Sequence, residues 1–376
     1  MTEIYLTIFF ISLLLLLLGS GVWVALSMIA VSAIGMLLFT TRPVGDAMAT
    51  TIWGTSSSWT LTALPLFVWM GEILFRTKLS ENLFKGLSPW LSKLPGGLVH
   101  VNVVGCALFA AISGSSAATV ATVGKMSIPE LRKRKYPEKI LLGSLAGSGT
   151  LGLLIPPSII LIIYGVTIED SIAKLFMAGI LPGIMIAVMF MLYVILWSVL
   201  NKKLMPKSNE NFSFLEKIQE SKQLLPVIFL ILAVIGSIYT GVATATEAAS
   251  LGVVGALILS FFQGTLNRKT FKLSLLGATK TSCMIAFILA GSTFLSLAMG
   301  FTGLPRNLAI WINAMNLSPY VLIFVLTIFY IILGMFLDGI SAVVLTMAII
   351  EPMIRQAGFD MIWFGIYLVI VVEMAQ

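Results

Sequence analysis

Ser113, Ser115, Ser116 and Thr119 place four hydroxyls around Gly114, and the stretch Gly149, Thr150, Leu151, Gly152 supplies a second small and polar set. Hydroxyl and backbone carbonyl oxygens are hard, neutral ligands. They suit a weakly held monovalent cation such as sodium, whereas a divalent ion asks for carboxylates. Soon after, Pro156 and Pro157 interrupt an apolar run from Gly143 to Tyr164, with Ser158 next in line. A proline removes an amide donor and crowds the preceding turn, at a cost of roughly 3 kcal/mol inside a helix, so the run is predicted to break. A broken helix in hydrocarbon persists only where its freed backbone groups face protein, water, an ion or a solute. Pro157, read as a first-turn residue, starts a half-helix whose positive end faces the site and favours an anionic substrate beside the cation. Small residues also serve close helix packing; the adjacent proline pair sets the site reading above that one.

The elements that must position these groups are membrane helices. Hydrophobic residues make up 59% of the chain and charged residues 10%, and the mean hydropathy is +1.04. A soluble protein of this length would carry large apolar patches. Apolar stretches near the ~20 residues that cross a bilayer recur from Ile4 to Phe301, so the fold class is an all-α polytopic membrane protein. The run from Ile4 to Leu18 has no basic residue before it and no small-residue cleavage site after it, so it is expected to stay as a first span. Cys106 and Cys283 lie in apolar surroundings and imply neither a disulfide framework nor a metal site.

A formal charge of +7 would suit a nucleic-acid binder, but the placement of the charges argues for topology instead. With the N-terminus outside, 19 of the 23 basic residues fall on one face, including the cluster Arg132, Lys133, Arg134 and Lys135; Arg42, Lys174, Arg306 and Arg355 fall on the other. That bias is the positive-inside pattern. It predicts a multi-pass protein of the bacterial inner membrane with a periplasmic N-terminus and no nucleic-acid partner.

The chain also repeats itself at an offset of roughly 225 residues, with an odd number of crossings that inverts the second copy. Residues 1–200 form the first inverted repeat, 201–223 a Lys-rich cytoplasmic connector with a short amphipathic helix near Phe214 to Glu220, and 224–376 the second repeat. The amphipathic stretch Leu79 to Leu94 is echoed by Pro305 to Leu317. Each repeat holds a re-entrant hairpin, at about 98–128 with its tip at Ile112 to Ser116 and at about 319–352 with its tip at Leu337 to Ser341. A broken transmembrane helix follows the first hairpin at about 140–164. The offset places the second break at the very end of the chain, so the sequence reads as C-terminally truncated.

Glu72, Glu247, Asp338 and Glu373 lie at or near the membrane, where acids are costly and mark function. Asp338 is the sharpest, since on the second tip it can bind a substrate hydroxyl or support a cation. Glu72 and Glu247 are expected at span ends, in interfacial or capping roles. The substrate-facing set is Thr119, Pro156, Pro157, Ser158, Asp338 and Ser341; Ser113, Gly114, Ser115, Ser116, Gly149 and Thr150 form the sodium set. His100 is the single histidine and is expected to pack, and Trp53, Trp59, Trp69 and Trp90 to form an interfacial belt. No His, Cys or paired-acid constellation is available for chemistry, so an intramembrane enzyme is disfavoured. A channel is disfavoured because two inverted hairpins are not a ring of pore elements.

Several longer blocks now bear on identity: LPLFVWMGEIL from Leu64, LPGGLVHVNVVG from Leu94, LFAAISGSSAATVATVG from Leu108, GTLGLLIPPSIILIIYGV from Gly149, SIAKLFMAGILPG from Ser171, TATEAAS from Thr244 and GMFLDG from Gly334. Over essentially its whole length the chain resembles the large membrane (M) subunit of tripartite ATP-independent periplasmic (TRAP) transporters. The resemblance implies an elevator-type secondary transporter that couples sodium to import of a carboxylate-bearing solute. It further implies a soluble periplasmic substrate-binding protein (P) that delivers the solute, a small four-helix membrane subunit (Q) and no cofactor beyond the coupling Na+. By motif it assigns Ser113 to Ser116 with Gly149 and Thr150 to one sodium site, and Gly339 with the last span to another. The chain departs from the family in lacking a second proline pair and in having Ala375 where glycine is usual. The alternative is a related elevator sodium/carboxylate symporter that takes its solute without a binding protein.

Overall fold

The computed structural model describes residues 2–206, 212–303, 318–335 and 337–375, and the regular elements among them are all helices. Four stretches are long and apolar enough to cross a membrane: Glu138–Thr167, Ile172–Leu200, Ala245–Phe262 and Arg268–Thr302. Counting each bent helix pair as one span raises the number to seven. The chain divides into two compact units. One comprises Met1–Thr62, Ile162–Ser171 and Thr281–Gln376; the other Ala63–Leu161 and Ile172–Lys280.

The first unit begins with α1 (Thr2–Gly19), α2 (Val24–Phe39) and α3 (Val44–Ser56), followed by a 3-10 turn at Trp59–Thr62. Phe10 lies on Gly35, so α1 and α2 meet ring on backbone. The second part of α15 (Arg268–Thr302) approaches as closely: a Cβ on Gly291 would lie 2.8 Å from the Ala25 carbonyl oxygen. Met36, Phe294 and Ala298 form a buried cluster there. The unit ends with α16 (Pro319–Gly334), α17 (Gly339–Gln356) and α18 (Met361–Ala375). Buried hydroxyl pairs tie these together, Tyr330 to Thr346 at 2.6 Å and Thr327 to Tyr367 at 2.6 Å. α17 bends by 67° between Gly339–Met347 and Ile349–Gln356. Pro352, four residues beyond the bend, has no N–H to return to that turn.

The second unit carries α4 (Ala63–Phe75), α5 (Leu79–Leu91), α6 (Val99–Ser113), α7 (Ser116–Lys133), α8 (Glu138–Gly149) and α9 (Leu151–Leu154), and the start of α10 (Ile159–Thr167). It resumes with α11 (Ile172–Leu200), α12 (Phe214–Ser221), α13 (Leu225–Tyr239), α14 (Ala245–Phe262) and the first part of α15. α4 and α14 pack side by side, with Met70 filling the space that a Cβ on Gly252 would take, 2.5 Å from its sulfur. Glu247 does what its place near a span end suggests. It closes a capping box on α14, accepting from the Thr244 N–H at 2.8 Å while the Thr244 hydroxyl accepts from its own N–H at 3.4 Å. Glu72 pairs with Arg76 at 2.9 Å near the C-terminal end of α4.

Several expectations meet their elements. The amphipathic stretch from Leu79 is α5 and the connector helix is α12, within a residue of its expected bounds. His100 is buried and bonded to the Pro95 carbonyl at 2.8 Å. Of the tryptophans expected to form an interfacial belt, Trp53, Trp59 and Trp90 are exposed, while Trp69 is half-buried. Its indole donates to the Ser274 hydroxyl at 3.3 Å and meets Phe271 edge-on, because α4 lies against the start of α15 at that level. The expected echo of the α5 stretch at Pro305 to Leu317 lies outside the described residues.

Candidate functional site

The first site is a hairpin tip seated in a helix break. α6 ends because Gly114 takes the left-handed conformation, φ 58°, with its N–H bonded to the Ala110 carbonyl at 3.1 Å. Ser115 is extended and caps α7, its hydroxyl accepting from the Ala118 N–H at 3.5 Å. The tip is stiffened from within. Thr119 donates to the Ser115 carbonyl at 2.8 Å and pairs with the Ser113 hydroxyl at 2.9 Å, and Ser113 reaches the same carbonyl at 3.3 Å. Thr119, expected to face substrate, is fully buried inside this network.

The opposing wall is the interrupted helix. α8 stops at Gly149, Thr150 bridges to the single turn α9, and Ile155 to Ser158 run on before α10 starts. The two prolines have no N–H to offer the carbonyls of Gly152 and Leu153. Ser158 takes over one of these: its hydroxyl donates to the Leu153 carbonyl and accepts from the Leu161 N–H at 3.3 Å. Ser158 is therefore the N-cap of α10. That corrects the expectation of Pro157 in the first turn: the Ser158 hydroxyl accepts from an amide of the opening turn, which a proline side chain cannot do. Pro156, Pro157 and Ser158 are all buried.

Tip and break meet backbone to backbone. Ile159 N–H donates to the Gly114 carbonyl at 3.4 Å, and the Ser116 hydroxyl donates to the Thr150 carbonyl at 3.5 Å. A Cβ on Gly114 would stand 2.8 Å from the Pro157 carbonyl oxygen. One on Gly152 would stand 2.8 Å from Ser115 C and O and from Ser116 N, and the Cβ space of Gly149 is occupied by Val120. Ser113, Gly114, Ser115, Ser116, Gly149 and Thr150 thus lie on the two elements that meet here, and the carbonyls of Ser115, Thr150 and Pro157 and the hydroxyl of Ser116 lie at their contact. These are neutral oxygen donors of the kind a monovalent cation takes. The hydroxyl of Thr150 itself turns back to the Gly147 carbonyl at 2.8 Å, so that residue offers its carbonyl instead.

The second tip follows the same plan. Asp338 caps α17, its carboxylate accepting from the Ser341 N–H at 3.2 Å, as Ser115 caps α7. Asp338 is exposed, while Gly339 and Ser341 are buried in the first turn behind it. Sequence reasoning passed over Val120, Ile159 and Tyr164. Tyr164 extends from α10 to bond the Met361 carbonyl at 2.7 Å, with its ring on Gly365. Apolar and aromatic residues in apolar runs carry no signature of such contacts.

A family model described as "Tripartite ATP-independent periplasmic transporter, DctM component" matches residues 10–376. The C4-dicarboxylate TRAP transporter large permease protein of Pseudomonas aeruginosa is 32% identical over 91% of this chain and 79% of its own length. The isethionate TRAP transporter permease protein DctMQ of Oleidesulfovibrio alaskensis is 30% identical over 86% of this chain and 51% of its own. The crystal structure of the YdaH transporter of Alcanivorax borkumensis is similar in fold, with a TM-score of 0.58 over 94% of this chain and 86% of that one, at 12% identity.

Proposed function

Because the chain belongs to the family of the DctM component of tripartite ATP-independent periplasmic transporters, a family of multi-pass membrane permeases and not of enzymes, we propose that it couples sodium entry to import of a small carboxylate-bearing solute. The observation that carries this reading is the seating of the Gly114–Ser115 tip in the break at Thr150 to Ser158, which brings neutral oxygens of two elements to one contact. A cation held there joins hairpin to broken helix, so its arrival or departure changes what holds the tip in place. The start of α10 next to it is a favourable end for an anionic group of the solute. Asp338, Gly339 and Ser341 would serve the second tip, Asp338 at the solute or cation and Gly339 at a second sodium.

The inverted-repeat and elevator reading of the chain, with a periplasmic N-terminus, belongs to this proposal and is supported by the paired capped hairpins. Two relatives carry names for small organic anions, a C4-dicarboxylate and isethionate, and one of them joins M and Q in its name. We therefore take a Q-type membrane subunit and a periplasmic binding protein as partners here too, which sets this reading above direct uptake from bulk solution. The test is uptake into proteoliposomes of the permease with its small subunit. Uptake should need both an inward sodium gradient and the loaded binding protein. Uptake of free solute without the binding protein would favour the alternative symporter.

Within that assay, Ser116→Ala and Thr150→Ala separate side-chain from backbone ligation. Ser116→Ala removes a hydroxyl from the tip and should raise the sodium half-saturation about tenfold, the scale of one charge-assisted contact. Thr150→Ala keeps the carbonyl and loses only the bond to Gly147, so its shift should be smaller. An unchanged half-saturation in both removes this pocket from the sodium path.

A further inference from the structure

α12 is an amphipathic helix that leaves most of its apolar face exposed among the described residues. None of its residues is buried: Phe214 is 68% exposed, Leu215 78% and Ile218 41%. It nevertheless has a fixed position. Ser213 and Glu216 form a capping box at its start. At its other end the Trp90 indole donates to the Ser221 hydroxyl at 2.7 Å, while Phe214 meets Trp90 edge-on at 6.4 Å and the Lys217 ammonium lies 5.2 Å from the Trp90 ring centroid. A helix pinned in this way with its apolar face outward is held for something that covers it.

Two observations say what that is. First, the face continues into a lipid-type surface: α13 begins after a 57° bend and exposes Leu225, Phe229 and Leu232, while the end of α11 exposes Leu196, Val199 and Leu200. Second, the end of the fold that carries α12 has a surplus of unpaired positive charge. Lys93, Lys202, Lys203 and Lys222 are exposed and join no ion pair among the described residues. Lys202 and Lys203 follow α11, whose Ser198 hydroxyl lies 3.0 Å from the Cβ position of Gly96, so they belong to the same end as Lys93. The acids of α12 are engaged within their own segment: Glu216 accepts from the Ser213 N–H at 2.7 Å, and Glu220 from the Gln223 amide at 3.2 Å.

We propose that α12 and these lysines form a binding surface for anionic phospholipid, with Phe214, Leu215 and Ile218 among the upper acyl carbons and the ammonium groups on headgroup phosphates. The connector is then fixed to the membrane surface beside α5, independently of what is transported.

Trp90 is the built-in reporter. The full chain is placed in nanodiscs whose phospholipid carries brominated chains, either on the anionic phosphatidylglycerol or on phosphatidylcholine, and the Trp90 signal is taken as the difference from Trp90→Phe. Quenching should favour brominated phosphatidylglycerol several-fold, about fivefold per lysine being the scale of the surface potential. The quadruple variant K93Q/K202Q/K203Q/K222Q should abolish the preference. Leu215→Ser with Ile218→Ser should lower quenching by both lipids. Equal quenching by the two lipids, a preference that survives the quadruple variant, or no quenching because a protein covers the helix would each overturn the proposal. No sodium or solute is present, so the outcome is independent of the transport reading. Unchanged thermal melting of the variants excludes unfolding as the cause.

Discussion

Gly152→Leu should leave the protein in the membrane at normal level and cut sodium-driven uptake by more than tenfold, with Gly152→Ala intermediate. The Cβ that either substitution adds stands 2.8 Å from Ser115 C and O and from Ser116 N, all backbone atoms. No rotamer change relieves such a contact. The tip around Ser115 is also held by its own hydroxyl network, so it moves as a piece. The break and the tip must therefore part, and the Ser116 hydroxyl loses the Thr150 carbonyl. Gly143→Ala is the matched control. It lies in the same interrupted run, on α8, with nothing within 4 Å of its Cβ position, and should transport normally. The comparison needs initial uptake rates at equal membrane abundance. Full uptake by Gly152→Leu would show that the seated tip is not required for transport.

What the sequence made legible was its punctuation. Gly114 between serines and the proline pair each fix local backbone through their own chemistry, and the connector helix shows in its amphipathic pattern, so the first hairpin tip, the helix break and that helix appear where expected. Hairpin arms and the broken helix run a few residues past their expected ends, to Lys133, Gln356 and Thr167. The divisions between repeats are a reading of the chain's periodicity, distinct from its division into compact units. What stayed illegible was settled by contacts distant in sequence or by a neighbouring residue type. Trp69 has the composition of a belt residue, and only the structure shows Ser274 and Phe271 on α15 holding it half-buried. Pro157 suits a first turn, but Ser158 carries the oxygen that the turn needs. Thr119 looks like a ligand until Ser113 and the Ser115 carbonyl take its hydroxyl. Gly152 appears in the sequence as one small residue among several; only the approach of Ser115 singles it out.

Asp338→Ser should reduce uptake by at least tenfold even though it preserves the hairpin. The two tips are capped alike. In the first, a serine caps the second arm: Ser115 accepts from Ala118 N–H three residues on. In the second, Asp338 does the same for Ser341 at 3.2 Å. A neutral hydroxyl therefore suffices for the cap, and serine and asparagine are as good as aspartate in that role. On the proposed transport reading the tip lies within the membrane, where a carboxylate is costly to keep and needs a further reason. If capping were the whole of its work, Asp338→Ser and Asp338→Asn would transport normally, and only Asp338→Ala would lose about 1 kcal/mol of hairpin stability. If the charge binds a cation or a hydroxyl of the solute, all three variants lose uptake, and Asn and Ser do so without a change in thermal stability or in assembly with the small subunit. Measuring uptake and melting temperature together on the three variants separates the two roles. Wild-type rates in Asp338→Ser would reduce Asp338 to a cap and remove it from the transport site.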